Sequence, residues 1–226
     1  MKKIISLLLL LATATMLLAG CKRASKKDIE KVNECYNRSY PHKIVVESTQ
    51  QFGAQSLVST TELTRGMIGV DFVAKEKVSR EQLRSVEDGS GTDVLPYVET
   101  VREERWFRVG VGVSTDKGQT WDAAAENFFP SKGVFALNLD SSLMDDVKYN
   151  NGTLTFTVTK DNVKNFFGAG FGVIEDVKVE IRTGGGFVTS VLISWVEAQN
   201  LSTGVEMVSA TIKADYYYDQ QKISFD

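Results

Sequence analysis

The strongest constraint on this chain is a period of two. Residues 177–198, "VKVEIRTGGGFVTSVLISWVEA", hold two runs in which apolar and polar residues alternate, broken only at Gly184–Gly186. Residues 147–158, "VKYNNGTLTFTV", repeat the pattern about Asn151-Gly152. Alternation at period two puts every apolar side chain of a strand on one face. Asn-Gly suits a type I′ turn, whose two central residues need positive φ. Turns this short join only antiparallel neighbours. The chain therefore builds an antiparallel sheet with one apolar face, and that face needs a cover.

Other segments extend the reading. "KIVVESTQQF" (43–52) sets Ile44, Val46, Ser48, Gln50 and Phe52 on one face, and "AQSLVSTTEL" and "GMIGVDFVA" continue a meander with turns at Gly53 and Arg65-Gly66. "KVSREQLRSVEDGSG" (77–91) is polar and reads as a short surface helix or a long loop. "LPYVETVREERWFRVGVGV" (95–113) reads as one long strand with Tyr97, Val101, Phe107, Val109, Val111 and Val113 in phase. "DIEKVNECYNRSY" switches to helical spacing, with Ile29, Val32, Cys35 and Tyr36 on one face of a helix over about 26–38. Leu139, Leu143 and Met144 indicate a short helix, and Asp161 is placed to cap another, "NVKNFF", which ends in the glycines of "FFGAGFG". The last strand stripe carries Phe187, Val191, Ile193 and Trp195.

The N-terminus sets the compartment. Lys2 and Lys3 precede an apolar run, Ile4 to Leu18, and then Leu18-Ala19-Gly20-Cys21. This is a secretory signal peptide over 1–20. Its ending resembles the bacterial lipobox, which implies acylation of the Cys21 sulfur and cleavage before it. Each buried methylene contributes about 0.8 kcal/mol, so two or three acyl chains anchor stably. The expected product is an extracytoplasmic domain, 21–226, tethered through 21–27 to a bacterial membrane, either the cell membrane or an outer membrane. Losing Lys2 and Lys3 leaves 24 Lys and Arg against 29 Asp and Glu, a net charge of −5, which argues against nucleic acid as a partner. The basic residues 22, 23, 26, 27 and 31 beside the anchor suit anionic headgroups or an ordinary solvated tether equally.

Catalytic chemistry finds little support. With Cys21 acylated, Cys35 is the only thiol, and His42 is the only histidine. Neither a disulfide nor a zinc site is expected, and no cofactor is implied. The paired carboxylates Glu103-Glu104 fall on a strand and point to opposite faces. "STDKGQTW", Ser114 to Trp121, matches the Asp box of sialidase propeller blades. Every residue of the signature can serve the turn itself. Asp116 accepts backbone N–H bonds, Gly118 takes positive φ, and Trp121 folds back beneath the loop. A propeller needs several blades of about 40–50 residues, and this chain shows one box and no repeat. The expectation is a structural turn from Ser114, Asp116, Gly118 and Trp121, not a glycoside hydrolase.

Taken in order, a helix, a meander, the unit "VKYNNGTLTFTVTKDNVKNFF" and the finish "VEIRTGGGFVTSVLISWVE…ATIKADYYYD" resemble the LolA-like and LppX-LprG-like bacterial lipoproteins. Residues 75–95 have no counterpart there. The resemblance implies an α+β fold in which one strongly curved antiparallel sheet, a half-barrel, carries helices over its concave face. It also implies a lipid or other amphiphile held between helices and sheet. Phe128, Phe129, Leu143, Met144, Phe166, Phe167 and Trp195 are the residues expected there, as pocket lining or as a filled core. The alternative is a ligand-free module that docks to another envelope protein.

Overall fold

The computed structural model describes residues 23–52, 55–68, 70–84, 97–123, 137–168, 172–201 and 204–219. Helix α1, Lys26–Arg38, is followed by strands β1 (Lys43–Phe52), β2 (Gln55–Ile68), β3 (Asp71–Arg84), β4 (Tyr97–Arg108) and β5 (Gly112–Ser114). Then come β6 (Asp145–Asn150), β7 (Thr153–Val158), the one-turn helix α2 (Val163–Phe167), β8 (Val177–Gly184), β9 (Phe187–Leu201) and β10 (Gly204–Tyr217). All ten strands form one antiparallel sheet in the order β5-β4-β3-β2-β1-β10-β9-β8-β7-β6. Two five-strand meanders thus meet at a seam between the first strand and the last, where Lys43 pairs with Tyr217 and Phe52 with Val208.

The N-cap of α1 is Ser25, with a reciprocal capping box: Asp28 N–H donates to Ser25 Oγ and Ser25 N–H to Asp28 Oδ2. Its apolar face, Ile29, Val32 and Cys35, is buried against β8 and β9. The same sheet face carries Leu154, Phe156, Val158, Val177, Val179, Ile181, Val191 and Ile193, all in one core cluster with α1. On β1 to β4 its buried members among the described residues are Ile44, Leu63, Ala74 and Phe107, with Val46 partly buried beside them.

The turns at Asn151-Gly152 (φ 45° and 83°) and Gly185-Gly186 (φ 60° and 86°) are the tight hairpins the alternation demands. Gly168, at φ 71°, closes α2.

Several boundaries differ from the sequence reading, each for a local reason. Arg65-Gly66 is not a turn: β2 runs through it, because Arg65 is buried on the core side, donates its N–H to the His42 carbonyl and lies over the Tyr40 ring. The stretch from Lys77 is neither helix nor loop as far as Arg84, since β3 pairs there with Tyr97–Glu104 of β4. Polar side chains hold that pairing by cross-strand ion pairs, Arg80 with Glu103 at 3.2 Å and Lys75 with Glu104 at 3.1 Å. Residues 85–96 lie outside the described residues. The long strand over 95–113 breaks at Gly110 (φ 74°) and Gly112 (φ 136°), which reverse the chain into β5. The expected helix near Leu143 is a single 3₁₀ turn, Ser141–Leu143, capped by Asp140. Asp161 caps nothing in α2; it sits inside a 3₁₀ turn, Lys160–Asn162, that leads into the helix. Phe187 is out of phase with Val191, Ile193 and Trp195, because a bulge between Arg182 and Thr183 shifts the register and turns Val188 inward instead.

Candidate functional site

The Asp-box loop closes the β5 edge. Val113 and Asp122 exchange backbone hydrogen bonds of 3.2 and 2.7 Å around it. Ser114, almost fully buried, donates Oγ–H to Asp116 Oδ1 at 2.7 Å and accepts from Gly118 N–H at 2.8 Å. Thr120 gives Asp116 two more donors, its N–H at 2.9 Å and its hydroxyl at 2.5 Å. Trp121 Nε1 folds back onto the Gly118 carbonyl at 3.1 Å. Lys117 and Gly118 take the positive φ values the tight loop needs. The bonds from Ser114 and then Thr120 pull the Asp116 carboxyl down to about 2. Both its oxygens are engaged within the loop, so it holds no proton near neutrality and is committed to internal donors. That is the chemistry of a locked turn and not of a general acid.

The residues expected at an apolar pocket are placed as follows. Phe166 is fully buried, with its ring 5.4 Å from Phe156 and 4.8 Å, edge-on, from Phe167. Met144 is buried in the same cluster, and Leu143, Phe167 and Trp195 pack against it. Trp195 stands on the core face of β9 and donates Nε1–H to Glu197 at 3.0 Å. Phe128, Phe129 and Cys21 lie outside the described residues. Cys35 is a buried free thiol of the α1 face.

Two grooves lie instead on the opposite, outward face of the sheet. One, of about 370 Å³, runs between Lys148, Thr155, Lys178, Glu180 and Leu192. The other, of about 420 Å³, is edged by Glu62, Lys77, Arg102 and Glu104. Charged and hydroxylic side chains edge both grooves. Glu104 shows how these charges are held. Burial alone would raise its carboxyl, but hydrogen bonds from Trp106 and Lys75 and the charges of Lys75 and Lys77 bring it below the usual range. Glu103, its neighbour, faces the core side and pairs with Arg80, so the two carboxylates do not share a site.

Three features escape the sequence reading. Trp106 points outward beside Lys75, whose ammonium sits 4.3 Å from its ring centre, yet the ring is fully buried. Arg105 Nη2 lies 2.6 Å from Glu76 Oε2 on the other face, close in charge but off the axis of a directed hydrogen bond. The Tyr216 hydroxyl is buried without a hydrogen-bond partner, and burial, then the neighbouring Tyr36 and Tyr218, push its pKa upward. A Trp in a charged stripe and a Tyr in a run of three give no signal of this.

Among the described residues, no group of three or more His, Cys, Asp and Glu side chains could hold a metal ion, and no helix is long and apolar enough to cross a membrane. The chain matches no protein-family model, and a search of curated proteins gives no match either.

Proposed function

We propose that this protein is a bacterial lipoprotein, anchored through acyl chains on Cys21, that works by non-catalytic contact of its surface with other components of the cell envelope. In this reading the sheet curves around the core as a half-barrel, and α1, α2 and residues 137–144 cover its concave face. The observation that carries the proposal is the packing at Phe166. Its ring is sealed by Phe156 and Phe167 and belongs to one cluster with Met144 and the α1 face. An acyl chain needs a cleft of several hundred Å³, and the clefts of that size described above lie on the other side of the sheet, edged by charged side chains. The Asp-box aspartate is fully engaged, which speaks against glycoside hydrolysis.

A second reading, an amphiphile lying on the concave face beyond the helices, draws on one observation. Val46 and Trp195 pack at the margin of the core cluster and are only partly buried. Mass spectrometry of the protein purified from its host separates the two. The expected masses, denatured and native, are the chain from Cys21 plus covalent acyl groups, and Cys21→Ser gives no acylated form. A further lipid in stoichiometric amount, released on denaturation, would overturn surface action in favour of the carrier reading. Absence of acyl mass from the natural chain would overturn the anchor.

A further inference from the structure

We propose that one end of the sheet, from the β6–β7 turn to the β2–β3 turn, is a membrane-contact rim that lies on the lipid surface. This inference rests on the acyl anchor proposed above. The first described residues run along the free edge of β6: Arg23 pairs antiparallel with Lys148, and Ala24 N–H donates to the Val147 carbonyl. Strand β6 advances toward the Asn151-Gly152 turn, so the antiparallel segment, followed backward from Ala24, advances toward the same turn. Two residues span at most about 7 Å, which bounds how far an acyl anchor on Cys21 can stand from Arg23, and the segment points toward that end of the sheet.

The same end exposes several large apolar side chains. Val70 is 89% exposed, Phe72 and Val109 each 54%, and Met67 48%. These four meet where the β2–β3 and β4–β5 turns adjoin: Met67 pairs with Phe72, and Val109 N–H donates to the Phe72 carbonyl. Tyr40 and Phe187 are exposed on the way there. A line of contacts joins the anchor side to this tip. Thr183 binds the Gly152 carbonyl and pairs with Val188, Val188 N–H donates to Ser39 Oγ, and Arg65, two residues from Met67, lies 5.1 Å over the Tyr40 ring.

Exposure alone does not choose this end, because Tyr97, Val98, Val205 and Met207 are exposed at the other. The course of residues 23 and 24 chooses it. At about 4.8 Å per strand the tip stands roughly 30 Å of arc away from β6. Acyl chains beside β6 and an apolar tip at the β2–β3 turn, both at this end of the sheet, give two points of attachment, which hold the rim against the bilayer where a tether alone would let the domain pivot.

The test places a single environment-sensitive fluorophore on the full chain through Val70→Cys, Val109→Cys, Val98→Cys or Val205→Cys. Each variant is reconstituted into vesicles of phosphatidylcholine and phosphatidylglycerol, with or without nitroxide-labelled acyl chains. Buried Cys35 sets the background in the unsubstituted protein. Loss of fluorescence is expected at 70 and 109 and not at 98 or 205. Equal quenching at both ends, or none at 70 while Cys21 carries its acyl mass, overturns the rim and leaves the anchor standing. Absence of acyl mass on Cys21 with quenching at 70 overturns the anchor and leaves the rim.

Discussion

Phe166→Ala is the sharpest probe of whether the covered side of the sheet is filled. The ring is fully buried, so its transfer from water sits near the top of the usual range, about 3 kcal/mol. Removing it leaves a void of roughly 70 Å³, which at 24 cal/mol per Å³ adds about 1.7 kcal/mol if the neighbours stay in place. Phe156 and Phe167 flank the ring at 5.4 and 4.8 Å, and their partial collapse lowers the total to about 3–5 kcal/mol. Domains of this size have margins of about 5–15 kcal/mol, so the variant folds but melts about 6–20 °C lower. Urea unfolding followed by tryptophan fluorescence gives the difference directly, and an unchanged m-value shows that the same surface is exposed. Phe166→Leu, which keeps much of the volume, loses less than half as much. A loss below about 1 kcal/mol would refute the reasoning, because a ring so cheaply removed already borders empty space, and the carrier reading would regain the site.

Two other positions test the Asp-box edge. The Asp116 carboxyl lies below its ordinary value, 3.8, at about 2, so its charged form is favoured by folding. Its contribution is complete above about pH 5 and fades as pH falls through the window from about 4 to about 2. Carboxyl-carbon NMR should show that low midpoint, and Ser114→Ala should move it back up; a midpoint near 3.8 in the natural protein would contradict the hydrogen-bond geometry. Gly112→Ala should open the loop, since a Cβ there stands 2.3 Å from the Asp122 carbonyl oxygen at φ 136°. Its cost should exceed that of Gly168→Ala, which meets no atom within 4 Å and carries only left-handed strain of about 1–2 kcal/mol. Equal costs by urea unfolding would show that the Val113–Asp122 pairing is dispensable, and unchanged hydrogen exchange at the Asp122 amide would show that the substitution leaves the pairing closed.

What the sequence discloses is what local chemistry decides. Helix α1 is legible because Ile29, Val32 and Cys35 repeat at helical spacing. The β6–β7 and β8–β9 hairpins are legible because Asn151-Gly152 and Gly185-Gly186 permit the backbone these turns require. The Asp-box turn is legible because each side chain bonds within eight residues. The second half of β3 is not, since "KVSREQLR" is mostly polar, with only Val78 and Leu83 apolar, and its strand character comes from partners on β4 such as Glu103. Nor is the outward burial of Trp106, which by alternation falls opposite Phe107. The bulge that excludes Phe187 from the core leaves no residue signal of its own, because it arises from pairing between Arg182 and Ser190. Periodicity assigns Phe166 and Trp195 to the covered side of the sheet, where they lie, but it cannot distinguish a lined cavity from a packed one.

The least local feature is the seam, and it decides how the molecule can form. Strand β1 is made early and β10 last, yet they are hydrogen-bonded neighbours over ten residue pairs, and β1 joins the two meanders through no other strand. Helix α1 crosses the same divide: it precedes β1 in the chain but covers β8 and β9, where Val188 N–H finds Ser39 Oγ at a separation of 149 residues. The β7–β8 and β8–β9 pairings need only near neighbours, but their apolar stripe, Phe156, Ile181 and Val191 among it, has no cover until α1 arrives. Closing so long a loop carries an entropic cost that must precede the contacts that offset it. The hairpins therefore form first and the seam last, and burial of the stripe by α1 contributes to closure alongside the seam's own core residues, Ile44 on β1 and Ala214 and Tyr216 on β10.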